Sequence, residues 1–249
     1  QTDPELCVTF FTCGPPHHTQ DLAKAYPAAV EYLERQRVAH LTGAARPLRY
    51  ELLWLDNGGD GAQRREILDR GAQIEHLVHN PTNQGLFAAA NDAWFRERGC
   101  SAPYVLHLED DRVVPPRLRS LESWHIAAAM AILQADVQVV GVRLKHEPSD
   151  APIAAAMAAE AGGTHRWLNA AGVHYQRHCL ALSSGLVWGS FSMAALVFDR
   201  ERLRRRGGLF EESGPYDYLE GRYALRLGLS GMCTSRPHLS ETCEGVPCN

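Results

Sequence analysis

The sequence predicts an α/β protein, a single domain with a mostly parallel central sheet flanked by helices. Two features predict it. Short apolar, β-branched runs alternate with segments of helical spacing at close intervals. The polar turns able to carry chemistry each follow one of those runs, as expected where ligands sit at the carboxyl edge of a parallel sheet.

The elements follow in order. Leu6 to Thr12 is apolar and β-branched, a first strand stopped by Gly14-Pro15-Pro16. Thr19 to His40 carries helical spacing through Leu22, Tyr26, Ala29, Val30 and Leu33, and Pro27 kinks or breaks it early. Tyr50 to Leu55 predicts a second strand, halted by Asp56-Asn57-Gly58-Gly59-Asp60-Gly61. A short helix over Ala62 to Arg70, a third strand over Gln73 to His79, an Ala-rich helix over Leu86 to Arg98 and a fourth strand over Tyr104 to Leu108 come next. Beyond Pro115-Pro116, Leu118 to Gln134 reads as helix and Val137 to Leu144 as strand. His146 to Leu182 is less regular, Leu186 to Phe198 is a strand region interrupted by Gly189, and Leu219 to Leu227 is a helix ending at Gly228. The final residues, rich in Cys, Pro and Ser, read as coil on the body. No repeat or linker is visible, so one domain is expected over 5–232, with halves 5–115 and 116–232 and a Cys-rich tail over 233–249.

Composition narrows the function classes. With 25 basic and 29 acidic residues the net charge is −4, which gives no broad electrostatic footprint for nucleic acid. No apolar stretch reaches the roughly 18 residues of a membrane-spanning helix. The chain starts at Gln1 without a Met, which fits a mature or trimmed form, and the lack of a leader or anchor in it is no evidence of a cytosolic home. Seven cysteines are an odd count; a disulfide or two plus a free thiol fits the secretory pathway, and fully reduced cytoplasmic cysteines are the alternative.

Glu109-Asp110-Asp111 is the feature richest in chemistry. Three carboxylates end the apolar strand Tyr104 to Leu108. Like charges this close need solvent, cations or a metal. Mg²⁺ and Mn²⁺ favour carboxylate oxygens and often share them with substrate phosphates. An acidic, solvated strand cap is the plainer reading.

The order of motifs resembles the family-2-type glycosyltransferases. Glu51 to Gly59 (ELLWLDNGG) looks like that family's second strand and acidic turn. Asn80 to Asn91 (NPTNQGLFAAAN) is similar to its N-x-G-x-x-x-A-x-N segment, with Ala90 where Arg is frequent. Leu106 to Asp111 (LHLEDD) takes the place of the metal-binding DxD motif, with Glu109 where Asp is usual. Gly207 to Glu212 (GGLFEE) followed by Asp217 to Gly228 (DYLEGRYALRLG) looks like the acceptor-side block. The resemblance spans about residues 5 to 230.

It implies a GT-A (Rossmann-like) fold, a nucleotide-sugar donor with UDP-sugar favoured, and Mn²⁺ or Mg²⁺. It implies Asp111 as direct metal ligand, with Asp110 and Glu109 on the ribose or bound through water. Thr12 and Cys13 match the loop near base and ribose, and Asp56 or Asn57 the position that hydrogen-bonds the base. Asn91 fixes its loop or reaches the donor. Asp217 matches the base that deprotonates an acceptor hydroxyl, with Glu220 as second candidate; simple capping of a helix N-terminus is the alternative for both. His238 stands where a metal-completing His follows the acceptor helix. The implied acceptor is a glycan or glycoprotein hydroxyl, the implied stereochemistry inverting, and the implied location the Golgi lumen.

Other readings stay open. Cys233, His238, Cys243 and Cys248 allow a Cys₃His zinc site, although no C-x₂-C knuckle is present. A nucleotidyltransferase on a similar sheet lacks its cationic phosphate loop at Thr12 to Pro16. A non-catalytic carbohydrate-binding relative is the third. Trp167, His174, Tyr175 and His178 read mainly as core, Trp188 and Ser190 as cleft lining, and Arg202 to Arg206 as a solvated helix face.

Overall fold

The computed structural model describes residues 3–13, 26–39, 45–59, 68–69, 74–96, 99–109, 125–144, 168–170, 172–179, 193, 196–213 and 216–237. Eleven strands are described: β1 (Leu6–Cys13), β2 (Arg37–Ala39), β3 (Ala45–Pro47), β4 (Tyr50–Asn57), β5 (His76–Asn80), β6 (Tyr104–Glu109), β7 (Val139–Arg143), β8 (Leu168–Ala170), β9 (Val173–Cys179), β10 (Leu196–Asp199) and β11 (Cys233–Pro237). The helices are α1 (26–34), α2 (Leu86–Phe95), α3 (His125–Ala135), α4 (Arg200–Gly207) and α5 (Tyr216–Leu229).

Nine strands form one sheet in the order β5-β4-β1-β6-β10-β7-β11-β9-β8, and β2 and β3 make a separate ribbon. The first four are parallel. β10 opposes both β6 and β7, so β7 and its parallel neighbour β11 return to the common direction. β9 opposes β11, and β8 opposes β9. Only β9 and β10 therefore run against the other strands of the sheet, which is the mostly parallel α/β architecture predicted.

Period-two alternation builds a core on each face. Leu6, Val8 and Phe10 of β1, with Leu52 and Trp54 of β4, join Leu33, Ile126, Met130 and Leu133 of α1 and α3 on one face. Cys7 and Phe11, with Leu53 and Leu55, join Phe87, Trp94, Leu203, Phe210 and Tyr223 from α2, α4, α5 and the loop before α5 on the other. Burial on both faces makes these strands read as continuous apolar runs. Each fully buried Leu or Phe contributes roughly 2 kcal/mol.

The amino edge of the sheet is fastened. A Cys7–Cys100 disulfide, with Cα atoms 5.6 Å apart, ties the start of β1 to the turn before β6. Beside it Glu51 accepts from Ser101 N–H (2.7 Å), Ala102 N–H (2.8 Å), Ser101 Oγ (2.7 Å) and His76 Nε2 (3.0 Å). Burial alone would raise the Glu51 pKa; the Ala102, Ser101 and His76 hydrogen bonds outweigh it and hold the carboxyl below its ordinary value.

Several elements differ from expectation. The helix predicted to His40 ends at residue 34, and Arg37–Ala39 pairs with Ala45–Pro47 instead. The third and fifth predicted strands are narrower, at His76–Asn80 and Val139–Arg143. Helix α3 is described from His125 and strand β10 from Leu196; the earlier parts of the predicted helix and strand, 118–124 and 186–192, lie outside the described residues. In the stretch read as irregular, Val173–Cys179 is a strand. The domain boundary after Met232 is corrected: Cys233–Pro237 is not tail but β11, seated between β7 and β9 inside the sheet. The solvated-face reading of Arg202 is corrected too, because its guanidinium donates to Leu133 O (2.9 Å) and Asp136 O (3.0 Å) at the end of α3.

Candidate active site

The carboxyl ends of β5, β4, β1 and β6 lie side by side. Pairing aligns His79 with Asp56, Asp56 with Thr12, Asn57 with Cys13 and with Asn80, and Phe11 with Glu109. Thr12, Cys13, Asp56, Asn57 and Glu109 are thus brought to one edge. Neighbouring strands are about 4.8 Å apart, so β4 to β6 spans roughly 10 Å.

Each side chain is held differently. Thr12 is buried and its Oγ1 accepts from Trp54 Nε1 at 3.0 Å. The Asp56 carboxylate, 1% exposed, accepts from Gly59 N–H (2.8 Å) through Oδ1 and meets His79 Nδ1 (3.2 Å) through Oδ2. Gly59 is needed there, since a Cβ on it would stand 2.2 Å from Oδ1. The Asn57 amide is spent on the following loop. Its nitrogen donates to Asn83 Oδ1 (2.9 Å) and Gly85 O (3.3 Å), and its oxygen accepts from Asn80 Nδ2 and Gln84 N–H, both at 3.1 Å. Between the two base-facing candidates, Asn57 therefore holds backbone and Asp56 carries the carboxylate.

Asn91 is wholly buried. Its amide grips the loop between α4 and α5: Nδ2 donates to Phe210 O (3.0 Å) and Glu212 Oε1 (2.9 Å), and Oδ1 accepts from Phe210 N–H (2.9 Å). Arg96 adds a second contact to Glu212 at 2.9 Å. Of the two roles the sequence allows, loop-fixing is the one that these hydrogen bonds support.

Glu220 lies inside, 4% exposed, and Oε1 accepts from Met193 N–H at 2.9 Å. Met193 precedes β10, whose first residue pairs with His107 and Arg143 near the carboxyl edge. Glu220 anchors that segment. α5 runs for 14 residues, about 21 Å, and turns through Ser230 and Gly231 into the amino end of β11. Its first residues, Tyr216 and Asp217, consequently stand toward the carboxyl edge.

The side chains of Cys13, Glu109 and Asp217 lie outside the described residues, as do Asp110, Asp111 and His238 altogether. β6 ends one residue before Asp110, and β11 ends one residue before His238 at the same edge. Cys233 is disulfide-bonded, which withdraws its sulfur from the Cys₃His zinc reading, because zinc takes a thiolate. Among the described residues the cluster with metal-ligating spacing is Cys7, Glu51 and Cys100, where two sulfurs are joined and the carboxylate is hydrogen-bonded, so it is structural.

Sequence reasoning missed His79. No sequence signal marks it, because only the register of β5 against Leu53 to Asn57 puts residue 79 opposite Asp56. It also missed His107, two residues before Glu109, whose pKa burial pushes down to about 3, so that it sits neutral against Thr9 (3.2 Å) in the core.

The fold is found in known structures. No protein-family model matches the chain, and no curated protein does. Among solved structures, the mannosyltransferase PcManGT from Pyrobaculum calidifontis is similar at a TM-score of 0.58 and 17% identity, over 94% of this chain and 54% of that one. The TarS 1–349 structure from S. aureus aligns at 0.54 and 10% identity over 96% of this chain and 58% of its own. This chain has the GT-A fold. A TarS 1–349 structure in complex with UDP gives the same relation, with a TM-score of 0.53 and 13% identity. The GT-A chain spans little more than half the length of these neighbours.

Proposed function

We propose that the chain is a metal-dependent glycosyltransferase that moves a sugar from a nucleoside diphosphate sugar, with UDP-sugar favoured, to a hydroxyl of a glycan or glycoprotein. The observation that carries the reading is the register that aligns Thr12, Asp56 and Glu109 on neighbouring strand ends of a GT-A sheet. The neighbours support it: one is a mannosyltransferase in complex with GDP-Man and Mn²⁺, and another is in complex with UDP.

In this reading Asp56 accepts from the base, and Thr12 and Cys13 lie along base and ribose. Asp111 and His238 hold Mn²⁺ or Mg²⁺, with Asp110 and Glu109 on the ribose or bound through water. The donor set, carboxylates with one imidazole, suits such an ion. β6 and β11 are three strand spacings apart, roughly 14 Å. Two residues of chain beyond β6 and one beyond β11 reach about 10 Å together, before their side chains are added. When bound, such an ion offsets the negative charge that develops on the departing diphosphate.

Asp217 deprotonates the acceptor hydroxyl from the first turn of α5. A single displacement with that base inverts the anomeric centre. Asn91 and Arg96 hold the loop that leads into α5, and Glu220 holds the segment ahead of β10. The Cys7–Cys100 disulfide supports placement in the secretory pathway, with the Golgi lumen as the site.

The test is release of nucleoside diphosphate from a panel of nucleotide sugars with Mn²⁺. One sugar nucleotide should be hydrolysed, and Asp111→Asn should abolish this while leaving the fold intact. Asp217→Asn should keep donor affinity and lose transfer to an acceptor. No turnover of any nucleotide sugar, together with no binding of any nucleoside diphosphate, would contradict the reading.

A further inference from the structure

We propose that His79 determines which nucleobase the site accepts, selecting a base with a single ring N–H between two carbonyls, uracil, over guanine, which presents two adjacent N–H donors. The inference rests on the donor-binding role of Asp56 given above.

Register puts His79 directly opposite Asp56, and its Nδ1 stands 3.2 Å from Asp56 Oδ2. A contact of that kind requires the proton on Nδ1. Gly59 N–H occupies the other oxygen at 2.8 Å. Each carboxylate oxygen thus already serves a donor from the protein. The neighbouring amide, Asn57, has both N–H groups and its oxygen engaged by Asn83, Gly85, Asn80 and Gln84.

Guanine reads a carboxylate as a fork, with N1–H on one oxygen and N2–H on the other, much as an arginine does. Such a fork here crowds both Gly59 N–H and His79 Nδ1–H. Uracil N3–H needs one oxygen and leaves its carbonyls to other donors. The Asp56 side chain is 1% exposed and the His79 side chain 36%, so a base approaches the carboxylate past His79. Gly59 cannot supply the same discrimination through a side chain, because a Cβ there collides with Oδ1.

The experiment measures dissociation constants of UDP and GDP, each with Mn²⁺, for the whole chain and three variants. The wild type should bind UDP at least tenfold more tightly. His79→Val, which keeps a strand-favouring side chain, should narrow the GDP-to-UDP ratio about tenfold, the size of one hydrogen bond to a charged group. His79→Gln, whose amide lies nearer the Nε2 position, should behave like His79→Val. His79→Asn, which restores a donor near the Nδ1 position, should recover the wild-type ratio. That pattern separates selection from a general loss of stability, which would weaken both ligands in every variant. A ratio unchanged within twofold in folded His79→Val and His79→Gln, or a wild type that prefers GDP, overturns the proposal and leaves the glycosyltransferase reading standing. A wild type that binds neither nucleotide overturns both.

Discussion

Replacing Asn91 with Ala separates its two possible roles. The amide satisfies both the N–H and the C=O of Phe210, a residue 3% exposed, and reaches Glu212 as well. Ala leaves the Phe210 N–H and C=O in the core without that partner. An unsatisfied buried polar group costs about 1–3 kcal/mol, and partial relaxation or an entering water recovers some of it. The net loss should be about 3 kcal/mol, a large share of the roughly 5–15 kcal/mol typical of a domain. For a protein of this length about 2–4 °C of Tm accompany each kcal/mol, so Tm should fall by about 6–12 °C. Asn91→Asp should be at least as damaging. It keeps an acceptor for Phe210 N–H but turns a carboxylate toward Phe210 O and the Glu212 carboxylate. Urea denaturation reads both variants, with the midpoint falling and the slope unchanged. A stability within about 0.5 kcal/mol of wild type, accompanied by a raised donor KM, would refute the loop-fixing role and return Asn91 to the donor site.

The remaining expectations concern the frame around the site. Double replacement of Cys7 and Cys100 by Ala removes a cross-link over a sequence separation of 93 and should cost about 4–5 kcal/mol by loop closure, seen as a lowered denaturation midpoint. Hydrogen bonding from Arg46, opposed by burial and aided by Arg49, holds Glu5 at about 2 against an ordinary 4.5. A depressed folded-state pKa gives stability that is fully present above pH 4.5 and lost as pH falls toward 2. The denaturation midpoints of wild type and Glu5→Gln should therefore differ by a constant above pH 4.5 and converge near pH 2; curves that stay parallel throughout would refute the assignment. Gly59→Ala forces Asp56 away from its position, since the new Cβ would stand 2.2 Å from Oδ1, and donor KM should rise tenfold or more.

Much of this was readable in the sequence, for reasons that differ by residue. β1, β4 and β6 are buried on both faces, so their apolar runs announced them. The polar residues after them mark the carboxyl edge because strand direction in a parallel sheet fixes where turns fall. β9 was hidden because it lies near the margin, where Tyr175 is buried while His174 and Arg177 face solvent. Its alternation of Val173 and Tyr175 with polar residues was the available signal. β11 was hidden by its composition: Thr234 and Ser235 are small and polar yet wholly buried beside β7 and β9. Side-chain partners were the least legible. Asp56 and Asn57 are adjacent in sequence, yet one meets His79 and the other holds the loop from Asn80 to Gly85. Only the pairing of β4 with β5 decides which does which.

In the proposed function the carboxyl edge binds a nucleoside diphosphate together with a divalent cation. Calorimetric titration of UDP into the chain, with Mn²⁺ and again with chelator, tests it most directly. Saturable binding at a single site should appear with Mn²⁺, vanish on chelation and vanish in Asp111→Asn. Heats that are the same with Mn²⁺ and with chelator, or undiminished in a folded Asp111→Asn, would contradict it.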